Sequence, residues 1–234
     1  MIAINPRNIQ LAKSKYFELI NPSNKDGSYH KSDALISHIE NYLKNSKSIH
    51  ESNFWQYLID NLNNVLLGEL AILQTHKIEL ERLLSKANIT KDTVLNVFRY
   101  DTFRQSKKCQ QLAEWLEIKV CPYCNANYTH TTVITNDNKE DKIKLDFDFD
   151  HFLDKATNPY FSLSLHNLIP SCKVCNSCYK GKIKFDTSTH INPYQEGFGE
   201  DCKFTITIKD VNFITQNTES ICLDLEIQET VKST

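Results

Sequence analysis

The sequence predicts an α+β fold in three parts: a helical region over residues 1–118, a strand-containing core over 119–190, and a short C-terminal β hairpin within 191–234. Three observations predict this fold. Apolar residues recur at helical spacing between 33 and 118, apolar and polar residues alternate in two later segments, and two Cys-x2-Cys pairs flank the first of those segments. The 234 residues suffice for one or two domains with a substantial core.

The first half of the helical region is predicted to contain two helices. Asp33 is a candidate N-cap for a helix that continues to about residue 43. From about residue 51 to 84, leucines recur every three or four positions, which predicts a long amphipathic helix. A kink is expected near Gly68 or Thr75.

The second half of the region is predicted to add two more helices. Thr90 or Asp92 opens one, and the last runs from about residue 101 to 117. The region contains no catalytic motif, so its apolar pattern predicts a packing core.

Strands are predicted after Val120. Segments 129–135 and 142–150 favour strands, and residues 136–138 between them favour a hairpin turn. Strict alternation over 145–150 places one set of side chains on one face and three carboxylates on the other: Leu145, Phe147 and Phe149 against Asp146, Asp148 and Asp150. Residues 173–185 fit a short helix or turn, and alternation in 204–208 and 221–227 predicts the C-terminal hairpin.

Composition excludes several classes of protein. The formal charge of −2 argues against a broadly basic nucleic-acid binder, and the segment 187–234 carries a local charge of −5. No glycine-rich phosphate loop, GxSxG or HExxH motif occurs. The amino-terminal residues lack the pattern of a signal peptide, and no apolar stretch approaches the roughly 20 residues that span a bilayer, so a cytoplasmic location is expected.

Eight cysteines in a cytoplasmic chain require an explanation other than disulfides. Cys121 and Cys124 form one Cys-x2-Cys pair, and Cys172 and Cys175 form another. Each pair places two sulfurs within one turn, so the two turns together provide the four thiolates of a tetrahedral zinc site. The 47 residues between the pairs must fold back between them.

Other interpretations of the cysteines stay open. Cys178 could serve as a further ligand of an iron–sulfur cluster, or the cysteines could bind no metal. Cys109, Cys202 and Cys222 are expected to be ordinary buried thiols. A zinc held by four thiolates has no open position, so its expected role is structural.

Between the pairs lies a candidate catalytic segment. Asp150 and His151 end the acidic strand, where a carboxylate can bind a hard cation such as Mg2+ and an imidazole can take a proton from water. Asn167 precedes the second cysteine pair, and Asn176 directly follows Cys175. An Asp-His pair alone is weak evidence, but its position between two cysteine pairs strengthens it.

These residues resemble a known family. The two Cys-x2-Cys pairs, Asp150-His151-Phe152, Asn167-Leu168-x-Pro170, Asn176 and Lys180-Gly181 resemble the HNH (ββα-metal) endonucleases that carry a four-cysteine zinc site. Cys-Pro-Tyr-Cys, Asn-Leu-Ile-Pro and two Asn-Pro-Tyr triplets resemble, more narrowly, the bacterial HNH proteins of Septu-type and retron-associated anti-phage systems. The resemblance covers about residues 119 to 200.

The resemblance implies a role for each of these residues. His151 would be the general base, and Asn167 would brace the loop that orients it. Asp150 and Asn176 would hold the catalytic Mg2+ or Mn2+; many HNH enzymes have a second metal-binding histidine where this chain has Asn176. Lys180 or Lys182 would contact a backbone phosphate.

Each role has a structural alternative. His151 could be a structural hydrogen-bonding group or a replacement zinc ligand, and Lys180 and Lys182 could be solvated. Asp146 and Asp148 are expected on a solvated strand face, with auxiliary metal binding as the alternative. His130 and His166 are expected to be packing or surface histidines.

The resulting hypothesis is a metal-dependent endonuclease that acts on DNA as part of an anti-phage defence complex. Residues 119–186 carry a charge of only +1, so weak autonomous DNA affinity is expected. The resemblance implies an ATPase partner, expected to dock on the N-terminal helices. The alternatives are a non-enzymatic zinc-ribbon adaptor and, third, an iron–sulfur redox protein.

Overall fold

The computed structural model describes residues 1–135, 141–199, 202–212 and 221–227, and it has the predicted α+β composition, with helices first and antiparallel strand pairs after them. None of the helices in these ranges combines the length and the apolarity that a bilayer crossing needs. The helices are α1 (Pro6–Ile20), α2 (Leu35–Lys44), α3 (Ile49–Asp60), α4 (Leu62–Leu67), α5 (Leu70–Lys86), α6 (Lys91–Phe98), α7 (Tyr100–Arg104) and α8 (Lys107–Leu116).

The long helix predicted over residues 51–84 is three helices, α3, α4 and α5. Gly68, one of the two predicted kink positions, ends α4 in an extended conformation. A Cβ at this position would lie 2.3 Å from the carbonyl oxygen of Asn64, so only glycine fits here. Thr75, the other predicted position, lies inside α5 and donates its hydroxyl to the carbonyl oxygen of Ala71.

The prediction that Asp33 caps α2 is wrong. The N-cap is Ala34, which offers no side-chain acceptor, and Asp33 instead pairs with Lys108 at 3.0 Å. Asn21, just after α1, accepts the backbone N–H of Ile36 and caps the helix from a distance of 15 residues. Sequence rules for helix caps consider only the residues next to the helix end, so they do not predict a cap from a residue 15 positions away.

Two other helix boundaries follow local rules. Thr90 is the N-cap of α6, as predicted, and its hydroxyl accepts the N–H of Thr93. Asn5 caps α1, which begins at Pro6; the Asn-Pro pair is the sequence signal for this unpredicted helix. The helix predicted over 101–117 is divided into α7 and α8.

Within the described ranges, three antiparallel strand pairs follow the helices. They are β1 (Thr131–Thr135) with β2 (Asp141–Leu145), β3 (Asp148–His151) with β4 (Leu168–Ser171), and β5 (Cys202–Ile208) with β6 (Ile221–Ile227). The predicted hairpins at 129–150 and 202–227 are confirmed as β1–β2 and β5–β6, while the turn predicted at 136–138 lies outside the described residues. The strand predicted over 142–150 is interrupted after Leu145, and its second part pairs with β4, so that His151 lies opposite Leu168.

The helices and the β3–β4 pair share one hydrophobic core. Two buried tyrosines connect them: the hydroxyl of Tyr16 in α1 donates to the carbonyl oxygen of Leu163, and that of Tyr100 in α7 donates to the carbonyl oxygen of Phe149. The helical region therefore packs directly against the strand that carries Asp150 and His151.

Candidate functional site

The four predicted cysteine ligands lie together. The sulfurs of Cys121, Cys124, Cys172 and Cys175 are all within 4.8 Å of one another, and those of Cys124 and Cys172 are 4.0 Å apart. A tetrahedral zinc with Zn–S bonds of about 2.3 Å requires sulfur separations of about 3.8 Å. The cluster could therefore hold a metal ion, and its geometry is compatible with structural zinc.

Local hydrogen bonds shape both cysteine turns. In the first turn, the N–H of Asn125, which adopts a left-handed backbone, donates to the carbonyl oxygen of Cys121. In the second, the Cys172 sulfur accepts the N–H of Cys175 and the side-chain amide of Asn127. Burial alone would raise the pKa of the Cys172 thiol, but these donors lower it to about 7, which favours the thiolate that binds metal.

The remaining described cysteines lie outside this cluster. Cys178 is exposed and does not join the four sulfurs, so the described residues do not assemble the fifth ligand of the iron–sulfur alternative. Cys109 is buried, as predicted, whereas Cys222 is partly exposed.

His151 is buried at the end of β3, and its Nε2 lies 3.0 Å from the carbonyl oxygen of Ser162. A carbonyl can only accept a hydrogen bond, so Nε2 carries the proton and Nδ1 is the unprotonated nitrogen. Nδ1 has no hydrogen-bond partner among the described residues. Burial lowers the pKa of His151 to about 3, so the ring is neutral near pH 7.

Asn167 is fully buried and braces the loop between β3 and β4. Its Oδ1 accepts the N–H of Leu153, and its Nδ2 donates to the carbonyl oxygens of Leu153 and Phe161. The carbonyl that holds His151 belongs to Ser162, the residue after Phe161. Asn167 therefore holds the backbone next to Ser162 and has no hydrogen bond to the imidazole among the described residues.

Replacing Asn167 by alanine is expected to destabilise the protein by about 3 kcal/mol, because the N–H and carbonyl of Leu153 lose their partner and the Phe161 carbonyl loses one of its two donors. Urea denaturation measures the change. Asn176→Ala is the control: the only hydrogen bond of Asn176's side chain among the described residues is a 3.5 Å contact with Asp148, so a change within about 0.5 kcal/mol is expected. Equal stability of the two variants would contradict the bracing role.

Asp150 is buried in an ion pair. Both of its carboxylate oxygens lie 2.7 Å from Nζ of Lys180, and Oδ2 also accepts the hydroxyl of Tyr123 at 2.8 Å. Lys180 is itself buried and donates additionally to the carbonyl oxygen of His151. Lys180 therefore contacts a carboxylate where the resemblance implied a phosphate, whereas Lys182 is exposed.

The other two carboxylates of the alternating segment have different surroundings. Asp146 is exposed, as predicted, and accepts the hydroxyl of Thr132. Asp148 is not on a solvated face: it forms an ion pair with Arg104 of α7 and receives a long hydrogen bond from Asn176. The alternation predicted that solvent covers the acidic face of this strand. At Asp148, α7 and the residue after the second cysteine pair cover it instead.

The two histidines predicted to have packing or surface positions do so. His166 is buried, with its Nδ1 3.0 Å from the carbonyl oxygen of Gly68. His130 is exposed and stacks on Tyr128.

A cavity of about 410 Å³ contains His151 and Asp150. Five cationic side chains and three carboxylates line it, for a net charge of +2 with His151 neutral: Arg104, Lys155, Lys180, Lys182 and Lys184 against Asp148, Asp150 and Asp154. Such a cavity attracts anions. Asn176 also lines it, whereas Asn167 does not.

Two lining residues, Tyr100 and Arg104, come from the helical region and were missed by sequence reasoning. The Tyr100 ring lies edge-on to the His151 ring with centroids 4.3 Å apart, and Nζ of Lys155 lies 4.6 Å from the centroid of Tyr100. No local motif marks these positions, because only the packing of α7 brings them to the cavity.

The cavity residues do not form a ready site for the implied Mg2+ or Mn2+. Such a cation needs several free carboxylate or carbonyl oxygens, but Asp150 is occupied by Lys180 and Tyr123, and Asp148 by Arg104. The third carboxylate, Asp154, uses one oxygen to accept two hydrogen bonds from Thr157, and a single remaining oxygen does not make a site. In the part of the chain that the structure describes, the four cysteines are the one group of three or more His, Cys, Asp or Glu side chains close enough to hold a metal.

No protein-family model, curated protein or solved structure matches this chain.

Proposed function

We propose that this chain is an HNH-type endonuclease that hydrolyses phosphodiester bonds in DNA. The observation that carries the proposal is the hydrogen bond from Nε2 of His151 to the Ser162 carbonyl. This bond selects the tautomer in which Nδ1 is free to accept a proton, and His151 lines a cavity of net positive charge. A neutral, oriented imidazole beside an anion-attracting cavity is suited to general-base attack on a phosphate ester.

The proposed step uses the residues of this chain. Nδ1 of His151 takes a proton from a water molecule as the water oxygen attacks phosphorus, and the bond from phosphorus to the 3′ oxygen breaks, with that oxygen gaining a proton from solvent. The exposed cations Lys182 and Lys184 offset charge on the phosphoryl oxygens.

A bound phosphate also affects the base itself. The pKa of His151 is about 3 in the free site because of burial, which makes the imidazole a weak proton acceptor. An anion in the cavity favours the protonated ring and raises this pKa. Proton transfer is thereby coupled to the presence of the substrate.

We propose a structural role for zinc and a catalytic role for Mg2+ or Mn2+. Zinc on the four cysteines has no open coordination position, so it supports the fold around β3 and β4. When bound, Mg2+ or Mn2+ would neutralise charge on the phosphoryl and leaving oxygens. The candidate ligands for that cation are Asp150 and Asn176.

We also propose that the chain works in the bacterial cytoplasm as the nuclease subunit of an anti-phage complex with an ATPase. Two observations support this proposal: the resemblance and the net charge of −2. A chain with this charge is expected to bind DNA weakly by itself, so a partner is needed to recruit it to DNA. Docking on the N-terminal helices would connect the partner to the site, because α7 carries Tyr100 and Arg104 into the cavity.

DNA binding by the isolated chain is expected to be weak and sensitive to salt, with a dissociation constant of about 10 µM or weaker near physiological ionic strength. Lys182→Ala, at the cavity, is expected to weaken it several-fold, whereas Lys44→Ala, on the exposed side of α2, changes little. Fluorescence anisotropy across a salt series measures both effects. Tight, salt-resistant binding would contradict the need for a partner.

The competing candidate is a non-enzymatic zinc-ribbon adaptor. The buried Asp150–Lys180 pair favours it, because a fully paired carboxylate has no obvious catalytic use. Plasmid nicking by the zinc-loaded chain, alone and with a candidate ATPase, over a panel of divalent cations decides between them. Absence of cleavage under every condition would eliminate the nuclease proposal.

A further inference from the structure

Lys180 is bound to Asp150, one of the three carboxylates that line the cavity. Its ammonium group has three N–H donors, and three acceptors lie around it: the two oxygens of Asp150, each at 2.7 Å, and the carbonyl oxygen of His151. Only about 7% of the Lys180 side chain and 5% of the Asp150 side chain are exposed. The place beside Asp150 that a metal cation would take is therefore occupied by an ammonium group of the chain itself.

The second cysteine turn delivers this ammonium. Lys180 is the last residue of a π-helical turn, Val174–Lys180, that contains the ligand Cys175. Gly181 ends the turn in a positive-φ conformation and donates its N–H to the carbonyl oxygen of Asn176. The Phe185 ring, with its centroid 4.6 Å from Nζ, packs beside the lysine. The cysteine cluster, the turn and the ion pair thus form one connected unit.

A divalent cation and this ammonium compete for the same oxygens. Lys180 uses both oxygens of Asp150, and Tyr123 adds a hydrogen bond to one of them. Two cations on one buried carboxylate would repel each other strongly at low dielectric. The other cavity carboxylate near Asn176, Asp148, is paired with Arg104.

We infer that Lys180 is a built-in competitor of divalent cations at Asp150, so that a cation binds there only when the ammonium withdraws. This inference rests on the proposed function only in taking Asp150 as the ligand of a catalytic cation. It makes the position of the Lys180 ammonium, at the end of the Val174–Lys180 turn, the feature that decides whether the site accepts a cation.

The test is Mn2+ binding to the full-length, zinc-loaded chain, measured by electron paramagnetic resonance. Lys180→Met removes the ammonium and keeps an unbranched side chain, and it is expected to tighten Mn2+ binding about tenfold or more, because the cation no longer displaces a charge. Lys155→Met, at a lysine that lines the same cavity but pairs with Asp101, is expected to bind Mn2+ as the wild type does. Adding Asp150→Asn to Lys180→Met is expected to remove the gain.

A second measurement needs no variant. Reductive methylation of wild-type lysines, followed by mass spectrometry, is expected to leave Lys180 protected without Mn2+ and to label it more when Mn2+ is present. If Lys180→Met does not fold, this experiment decides alone: labelling of Lys180 that Mn2+ does not change overturns the inference.

Equal Mn2+ affinity of the wild type and Lys180→Met, including no binding by either, also overturns it. Neither readout depends on cleavage. A chain that shows the expected Mn2+ behaviour but cleaves no DNA would contradict the proposed function alone, whereas a chain that cleaves while Lys180 stays protected in Mn2+ would contradict this inference alone.

Discussion

Replacing Cys172 by serine is expected to abolish metal binding at the cysteine cluster and to produce the largest loss of stability of any single substitution considered. Cys172 lies within 4.8 Å of the other three sulfurs and accepts two N–H donors. Zinc binding at sites of this type contributes roughly 10–16 kcal/mol in zinc-finger peptides. That free energy is comparable to the whole stability margin of a typical domain, about 5–15 kcal/mol.

The measurements are the zinc content per chain and the thermal unfolding curve. Cys178→Ser is the matched control, because Cys178 lies nearby on the π-helical turn that carries the ligand Cys175 but is itself exposed and outside the cluster. The control is expected to keep its zinc and its unfolding temperature. One zinc retained in Cys172→Ser, or a visible absorption band typical of an iron–sulfur cluster in the wild type, would contradict the zinc assignment.

Replacing His151 by glutamine is expected to reduce cleavage by a factor of about 10² to 10⁴ while the fold persists. The glutamine amide can donate to the Ser162 carbonyl, as Nε2 of His151 does, but it cannot take a proton from water. The variant therefore separates the hydrogen bond from the base. Plasmid nicking and circular dichroism measure the two properties.

His130→Gln is the control for this substitution, since His130 is exposed and lies outside the residues that line the cavity. It is expected to cleave like the wild type. Full activity in His151→Gln would remove His151 as the base. A loss of activity that merely follows a loss of zinc would assign the residue a structural role instead.

The two cysteine turns were predictable because the information for each turn is local. Each Cys-x2-Cys pair places two sulfurs in one turn, and the backbone donors that shape those turns come from neighbours such as Asn125 and Cys175. The cap of α6 by Thr90 and the end of α4 at Gly68 were predictable for the same reason. In each case a few consecutive residues decide the conformation.

The surroundings of the acidic residues were not predictable in the same way. Alternation correctly separates Phe147 and Phe149 from the acids, but it does not say what covers the acidic face. Asp150 is buried because Lys180, 30 residues later, reaches it, and Asp148 is covered because Arg104, 44 residues earlier, pairs with it.

The sequence by itself determined the helical and strand-rich regions and the two cysteine pairs, because periodicity and turn spacing act over a few residues. The tertiary structure alone decided that Tyr100 and Arg104 join the cavity, that Asn21 caps α2 and that Lys180 neutralises Asp150. These contacts depend on segments far apart in the chain, whose meeting is set by how the shared core packs.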